Sequence, residues 1–122
     1  MRTNESSEMY LESILVLSRK QSGVRSIDVA HETGYSKPSV SRAMGLLRQR
    51  GMITFSETGE IRLTDDGMKL ASKILERHET LTAALVSLGV PQDRAQEDAC
   101  RIEHVISDES MDCIRAAMYH KK

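Results

Sequence analysis

Tryptophan is absent from this chain of 122 residues and phenylalanine occurs only once, so its core has to be aliphatic and methionine-rich. Long apolar runs are missing as well. The longest, Ala83-Ala84-Leu85-Val86, falls far short of the roughly 20 residues that cross a bilayer. No apolar stretch follows Met1-Arg2-Thr3-Asn4-Glu5, so neither a secretory signal nor a membrane association is expected. Cysteine is scarce. Cys100 and Cys113 both fall in helical sequence rather than in a loop framework, which argues for a reduced, cytoplasmic setting. No glycine-rich turn adjoins Cys100, so a Cys100–His104 dyad would lack the oxyanion-stabilising loop that acyl transfer needs, and no enzymatic activity is expected.

Charge of one sign is not in excess either: the net charge is −1. With 29% charged and 39% hydrophobic residues, the composition is that of a soluble, folded chain with room for one domain or two very small ones. The distribution of charge says more than its sum. From Ser36 to Arg50 there are four basic residues (Lys37, Arg42, Arg48, Arg50) and no acid. From Pro91 to Asp112 there are seven acids against Arg94 and Arg101. Such a change of sign is expected if one half meets phosphate and the other meets a cation or water.

Apolar spacing predicts a first helix from Glu5 to about Gln21, with Tyr10, Ile14 and Leu17 facing inward. Gly23 breaks it. Ser26 is a candidate cap for a short second helix carrying Ile27, Val29 and Ala30, which stops at Thr33-Gly34. Ser36-Lys37-Pro38 opens a third helix, with Ser36 as N-cap and proline tolerated in the first turn. Its inward face is Val40, Ala43, Met44 and Leu47, and Gly51 ends it. Met52–Ser56 and Glu60–Leu63 read as strands joined by the turn Glu57-Thr58-Gly59. Helix, short helix, glycine turn, helix and hairpin make a winged helix-turn-helix, whose third helix enters the major groove while the hairpin flanks the backbone.

Thr64-Asp65-Asp66-Gly67 caps a long fourth helix running to about Leu88, and Gly89-Val90-Pro91 stops it. A fifth helix starts at Pro91 and is expected to reach His104, and a sixth starts at Ser107-Asp108-Glu109. The fold class is therefore mainly α, with a DNA-binding domain over residues 1–63 and a helical domain over 64–122. A helical tail of that size buries little surface alone. Ala95, Ala99, Ile102, Val105, Ile106, Ile114 and Met118 are thus expected to meet a second copy, and a homodimer matches the two-half-site geometry of duplex DNA.

Lys37, Ser39, Ser41, Arg42 and Arg48 fall on the outer face of the third helix, beside the capping Ser36. A basic run alone is most often a solvated helix face, but serines beside a helix-turn-helix pattern can grip phosphates, and Arg42 lies far enough along to reach a base edge. Arg62 in the hairpin is either a backbone contact or a bare surface arginine.

In Cys100-Arg101-Ile102-Glu103-His104, a thiol, a carboxylate and an imidazole sit at i, i+3 and i+4, on one helix face. Those three groups can together bind a first-row transition ion. Cysteine and histidine at this spacing are also found as unrelated surface residues, and Cys100 alone could be an ordinary buried thiol. Met9 and Glu12 share a face of the first helix, and His78 lies midway along the fourth.

Several stretches, taken together, resemble the diphtheria toxin repressor family of iron-dependent repressors and manganese transport regulators. They are Ser7-Glu8-Met9-Tyr10-Leu11-Glu12, Ser36-Lys37-Pro38-Ser39-Val40, Leu63-Thr64, Arg77-His78 and Ala99 through Asp108. The likeness runs in unbroken order through essentially the whole chain, and the segment from Cys100 to Asp108 is its most specific part. It implies a regulatory metal site on Met9, Cys100, Glu103 and His104. The family's ancillary site includes His78, but Thr82 and Gln96 stand where the iron branch places a carboxylate and a histidine. Glu12 matches a manganese-branch ligand, so Glu12 and His78 become candidates for a second ion. The chain is read as a short form without the small C-terminal SH3-like β-barrel domain of many members.

A thioether and a thiolate suit Fe²⁺, Co²⁺, Ni²⁺ and Zn²⁺ better than Mn²⁺. The expectation is Fe²⁺ as the cellular ion, Mn²⁺ second, and Zn²⁺, Co²⁺ or Ni²⁺ able to bind in vitro. The resemblance implies a metal-dependent transcriptional repressor in which the ion, as co-repressor, orders a homodimer on double-stranded operator DNA at metal-homeostasis genes. The alternative from another class is a metal-independent winged-helix regulator that senses thiol oxidation through Cys100 and Cys113, or a small ligand.

Overall fold

A computed structural model describes residues 5–119 of the chain. Residues 1–4, which entered the reading of the amino terminus, lie outside the described residues. In order, the elements are α1 (Glu5–Lys20), α2 (Ser26–Thr33), α3 (Lys37–Gln49), β1 (Ile53–Phe55), β2 (Ile61–Leu63), α4 (Asp65–Ser87), α5 (Gln92–Ile102) and α6 (Asp108–Tyr119). The chain forms two compact units that divide inside α4, after Ser72. Among the described residues no helix is long and apolar enough to cross a membrane.

The first unit is the winged helix-turn-helix. Leu11, Ile14, Val29, Val40, Met44, Leu47 and Ile53 are each 1% exposed or less, which realises the helical spacing of the apolar positions. Ala43, expected among them, is only half-buried. Gly34 closes α2 at φ 78°, with its N–H on the Ala30 carbonyl, and so sets up the turn into α3. Ser36 caps α3 as expected, its hydroxyl accepting the Ser39 N–H at 3.3 Å. Ser26 does not cap α2. Arg25 occupies that position, because the Asp28 carboxylate reaches back to accept the Arg25 N–H at 2.9 Å.

The antiparallel hairpin pairs Ile53 with Leu63, Thr54 with Arg62 and Phe55 with Ile61. Three contacts fix it to the helices. The Ile61 N–H donates to the Val24 carbonyl at 2.7 Å, the Arg25 guanidinium donates to the Thr58 carbonyl, and the Arg48 guanidinium lies 5.7 Å from the centre of the Phe55 ring. Beyond the wing, Thr64 starts α4 by accepting the Gly67 N–H at 3.0 Å while donating to the Gly51 carbonyl at 2.6 Å. Gly67 is needed there for space: a Cβ would lie 1.9 Å from the Met52 carbonyl oxygen.

In the second unit Leu81, Ala99 and Met111 form a buried cluster, with Ile102, Ile106 and Ile114 packed against it. This corrects part of the expected dimer surface, since Ala95 and Ala99 are fully buried by the chain's own helices. Val105 does stay 66% exposed, and Leu88, not anticipated, is 81% exposed. The end of α5 is also corrected: the helix stops at Ile102 rather than at His104. Ser107 begins α6 by accepting the Ser110 N–H at 3.0 Å. Across α4 and α6 the Arg115 guanidinium donates to both oxygens of Glu76, at 2.7 and 2.8 Å, and these bonds hold the Glu76 carboxyl below its ordinary value of 4.5.

Two stability outcomes follow from these contacts. Gly67→Ala is expected to lower stability by about 1–3 kcal/mol, read as a shift of the urea midpoint, because backbone must move to admit the methyl group. Glu76→Gln is expected to cost about 0.5–1 kcal/mol at neutral pH, as for a partly exposed ion pair. A depressed folded-state carboxyl gives stability that is present above its unfolded value and lost as pH falls through the folded one. The wild-type advantage over Glu76→Gln should therefore shrink below about pH 4.5 in thermal melts, and an advantage that persists there contradicts the assignment.

Candidate metal centre and nucleic-acid face

Glu103 is the residue that closes α5. It keeps helical angles (φ −59°, ψ −25°) and donates its N–H to the Ala99 carbonyl at 2.9 Å, although the regular helix has ended. The helical offset from Cys100 to Glu103 thus survives, and His104 follows in a turn in which the N–H groups of Val105 and Ile106 both donate to the Ile102 carbonyl at 3.0 Å. One ligand atom from each of Cys100, Glu103 and His104 comes within 4.8 Å of the others. Glu103 is 0% exposed and the His104 side chain 5%, while Cys100 is half-buried.

A carboxylate so enclosed needs compensation. Its Oε1 lies 2.9 Å from His78 Nδ1, and this contact, opposed by burial, raises the His78 imidazole above its ordinary value of 6.5. Oε2 faces His104 Nε2 at 3.3 Å, but accepts no hydrogen bond among the described residues. A buried carboxylate with one oxygen that accepts no hydrogen bond, beside an imidazole nitrogen and with a thiol sulfur within 4.8 Å of the group, is what a divalent transition ion satisfies. The donor set fits such an ion.

His78 also borders a cavity of about 470 Å³ lined by Glu79, Thr82, Val86, Gln92 and Gln96 among others. Thr82 spends its hydroxyl on the His78 carbonyl at 2.8 Å, and Gln96 is exposed. The remaining two expected ligands belong to the first unit. Met9 and Glu12 are both half-buried on α1. Met9 Sδ accepts a long contact from the Tyr35 hydroxyl at 3.9 Å, and the Tyr35 ring meets Tyr10 edge-on, with centroids 6.0 Å apart.

Ser36, Lys37, Ser41, Arg42 and Arg48 are exposed on or beside α3, Ser39 is half-buried, and Arg62 projects from β2. They do not carry equal freedom. The Ser36 hydroxyl caps the helix and lies 3.0 Å from the Ser39 hydroxyl, Arg48 is held over Phe55, and Arg62 lies 3.9 Å from Glu60. Arg42 is opposite the buried ridge of Val40, Met44 and Leu47, and Gly45 and Gln49 continue its line. The sequence reading passed over Gly45 and Gln49 because neither is charged. A Cβ at Gly45 would meet nothing within 4 Å, so the fold does not require glycine at this exposed helical position.

A further omission is Arg77, quoted in a motif but given no role. Its guanidinium donates to the backbone carbonyls of Glu103 at 3.1 Å and Ile106 at 3.2 Å, and to the Asp108 carboxylate. Nothing local announces these contacts, since they join residues 26 to 31 positions apart.

The family described as iron-dependent repressor, metal binding and dimerisation domain matches residues 64–122. The transcriptional regulator MntR of Escherichia coli O6:H1 is 35% identical over 106 residues, covering 87% of this chain and 68% of that protein. The diphtheria toxin repressor of Corynebacterium diphtheriae is 26% identical over 106 residues, covering 86% and 47%. Among solved structures, a manganese-dependent transcriptional repressor in complex with manganese superposes with a TM-score of 0.85 at 29% identity, over 92% of this chain and 52% of that one. The chain thus spans about half the length of the last two. A winged helix-turn-helix followed by a helical unit whose buried carboxylate lies beside a sulfur and an imidazole, joined to these likenesses, places the chain in the diphtheria toxin repressor family of metal-dependent transcriptional repressors.

Proposed function

We propose that this chain is a homodimeric repressor whose residues 1–63 bind operator DNA and whose residues 64–122 bind a divalent metal co-repressor and dimerise. The observation that carries the reading is the buried Glu103 carboxylate, set between His104 and His78 with Cys100 within ligand range. Cys100, Glu103 and His104 supply a thiolate, a carboxylate and an imidazole. The family resemblance adds the Met9 thioether, with Glu12 and His78 as donors to a second ion. When bound, the ion supplies the positive charge that brings these groups into one arrangement. Glu103 and the acids around it then repel DNA less.

The proposed cellular ion is Fe²⁺, with Mn²⁺ second. Sulfur donors at Met9 and Cys100 favour the softer ion, whereas similarity to proteins named MntR and to a manganese-dependent repressor favours manganese. Zn²⁺, Co²⁺ and Ni²⁺ have the affinity to occupy the site in vitro. A reducing cytoplasm keeps Cys100 and Cys113 as thiols, the state this chemistry needs.

On the DNA side, Lys37, Ser36, Ser39 and Ser41 contact phosphates, Arg62 contacts backbone from the wing, and Arg48 braces wing against helix. Arg42 reads a base edge. Dimerisation places two such heads on two half-sites. Apolar residues left exposed in the second unit, Val86, Leu88 and Val105, offer a surface for the second copy. So does an apolar cleft of about 370 Å³ between Ala84, Leu88, Ile114 and Met118.

The test is anaerobic fluorescence anisotropy on a duplex enriched from a random-sequence library by the metal-loaded protein. Fe²⁺ is expected to tighten binding by about 5- to 150-fold, the ordinary range of an allosteric coupling. Cys100→Ala is expected to remove that gain while leaving metal-free affinity unchanged. Equal affinity with and without Fe²⁺ and Mn²⁺ ends the co-repressor reading. Arg42→Ala is expected to cost about 1–3 kcal/mol on the enriched duplex and to relax preference at one base pair. A loss equal on enriched and scrambled duplexes instead makes Arg42 a phosphate contact.

A further inference from the structure

The segment between Glu103 and Ser107 has to present metal-binding side chains from a turn rather than from a regular helix. There α5 has ended, its Ile102 carbonyl taking the N–H groups of Val105 and Ile106 at 3.0 Å, and α6 has not begun, so the carbonyls of Glu103 and Ile106 depend on a donor from elsewhere. A carbonyl left unpaired beside a buried side chain is costly, and a turn free to fray cannot hold Glu103 and His104 in one geometry. The donor that meets this need comes from α4. Arg77, only 12% exposed, bonds the carbonyls of Glu103 and Ile106 through one nitrogen and the Asp108 carboxylate through another. A planar guanidinium can serve two carbonyls and a carboxylate at once, which a lysine ammonium on a flexible stem does poorly.

The charge is balanced locally. Asp108 neutralises Arg77, and Lys73, one turn earlier on α4, approaches the same Asp108 oxygen at 3.6 Å. Asp108 is also the first residue of α6, where the helix dipole favours an acid. Next to Arg77, His78 takes the Glu103 carboxylate at 2.9 Å. Consecutive residues of α4 thus hold Glu103 by its backbone and by its side chain.

We propose that Arg77 is a positioning residue for the metal centre: anchored by Asp108, it fixes the backbone of Glu103 and the turn through Ile106, and so sets where Glu103 and His104 present their ligand atoms, without itself touching the ion. The proposal rests on the metal reading above and assigns a role to a residue outside the ligand set. It also accounts for the joint occurrence of Arg77-His78 and Ser107-Asp108 in the motifs of the sequence, since the two stretches form one clamp.

The test uses the whole chain and Co²⁺ under anaerobic conditions. Affinity is read from thiolate-to-cobalt absorption, and amide hydrogen exchange of residues 103–107 is read on metal-free protein. Arg77→Ala is expected to weaken Co²⁺ binding by about 10- to 100-fold, the usual effect of losing an outer-sphere partner. The absorption at saturation should stay unchanged and exchange in the turn should be faster. Arg77→Lys keeps the charge and should not restore the affinity. Co²⁺ affinity of Arg77→Ala within about twofold of wild type overturns the proposal, even where the turn exchanges faster. If Arg77→Ala does not fold, Asp108→Asn decides by the same criterion: weaker binding supports the clamp, and affinity within about twofold overturns it. A wild-type chain with no thiolate–cobalt absorption removes the metal reading itself, and this role with it. An intact wild-type spectrum beside unchanged variant affinity removes the clamp alone.

Discussion

Enclosing a carboxylate in an interior built from leucine, isoleucine, alanine and methionine costs several kcal/mol unless charge or hydrogen bonds replace the lost water. Glu103 meets that cost on one side only. His78 Nδ1 answers Oε1 at 2.9 Å, whereas Oε2 looks toward His104 Nε2 at 3.3 Å. A side chain placed for stability alone would be leucine or methionine, which need no partner. The acid is consistent with a cation as its second partner, and the second unit is arranged around that demand: α4 supplies the cations that hold it, α5 delivers it, and the turn before α6 carries its neighbour His104.

The same logic gives α4 its length and its charge pattern. At consecutive helical turns Lys73 and Arg77 face Asp108, Glu76 faces Arg115, and His78 faces Glu103. The exposed pairs contribute little each. Arg77 and His78 differ because their partners are a backbone turn and a buried carboxylate, so their loss leaves polar groups unsatisfied rather than merely hydrated. The order of importance along α4 follows burial of the partner, not the number of ion pairs.

What could be read in the sequence was what is set by near neighbours. Ser36 before Lys37-Pro38, Gly34 after Thr33, and Val40, Met44 and Leu47 at helical spacing each act within one or two turns, and each gives the element expected of it. The errors have the opposite character. Ser26 lost the cap because the Asp28 carboxylate reached the Arg25 N–H. Ala95 and Ala99 looked like dimer surface because alanine carries no signal of which neighbour covers it; both are buried within the chain, and Ala99 is covered by α4 and α6 through Leu81 and Met111. Gly67 read as part of a cap, while its need for space comes from the Met52 carbonyl, across the hairpin. In the candidate site, Cys100, Glu103 and His104 could be grouped by helical offset. Arg77 could not, since its partners lie more than twenty residues away.

The recognition helix shows a related division between residues the fold consumes and residues it leaves available. Ser36 and Arg48 are outward-facing by pattern, yet one caps the helix and the other lies over Phe55, so part of their hydrogen-bonding or cationic capacity is already used. Arg42, Gly45 and Gln49 line the face opposite the core, where the chain itself asks for nothing. Alanine at Gly45 would favour the helix by up to about 1 kcal/mol, and no turn, close contact or positive φ opposes it. A helix-weakening residue with no internal reason for its place is explained if a surface approaches it closely from outside, and the side chains on either side, a guanidinium and an amide, are suited to base edges. A DNA-reading face of the kind proposed would then be better located by what the fold leaves unused than by where positive charge is densest.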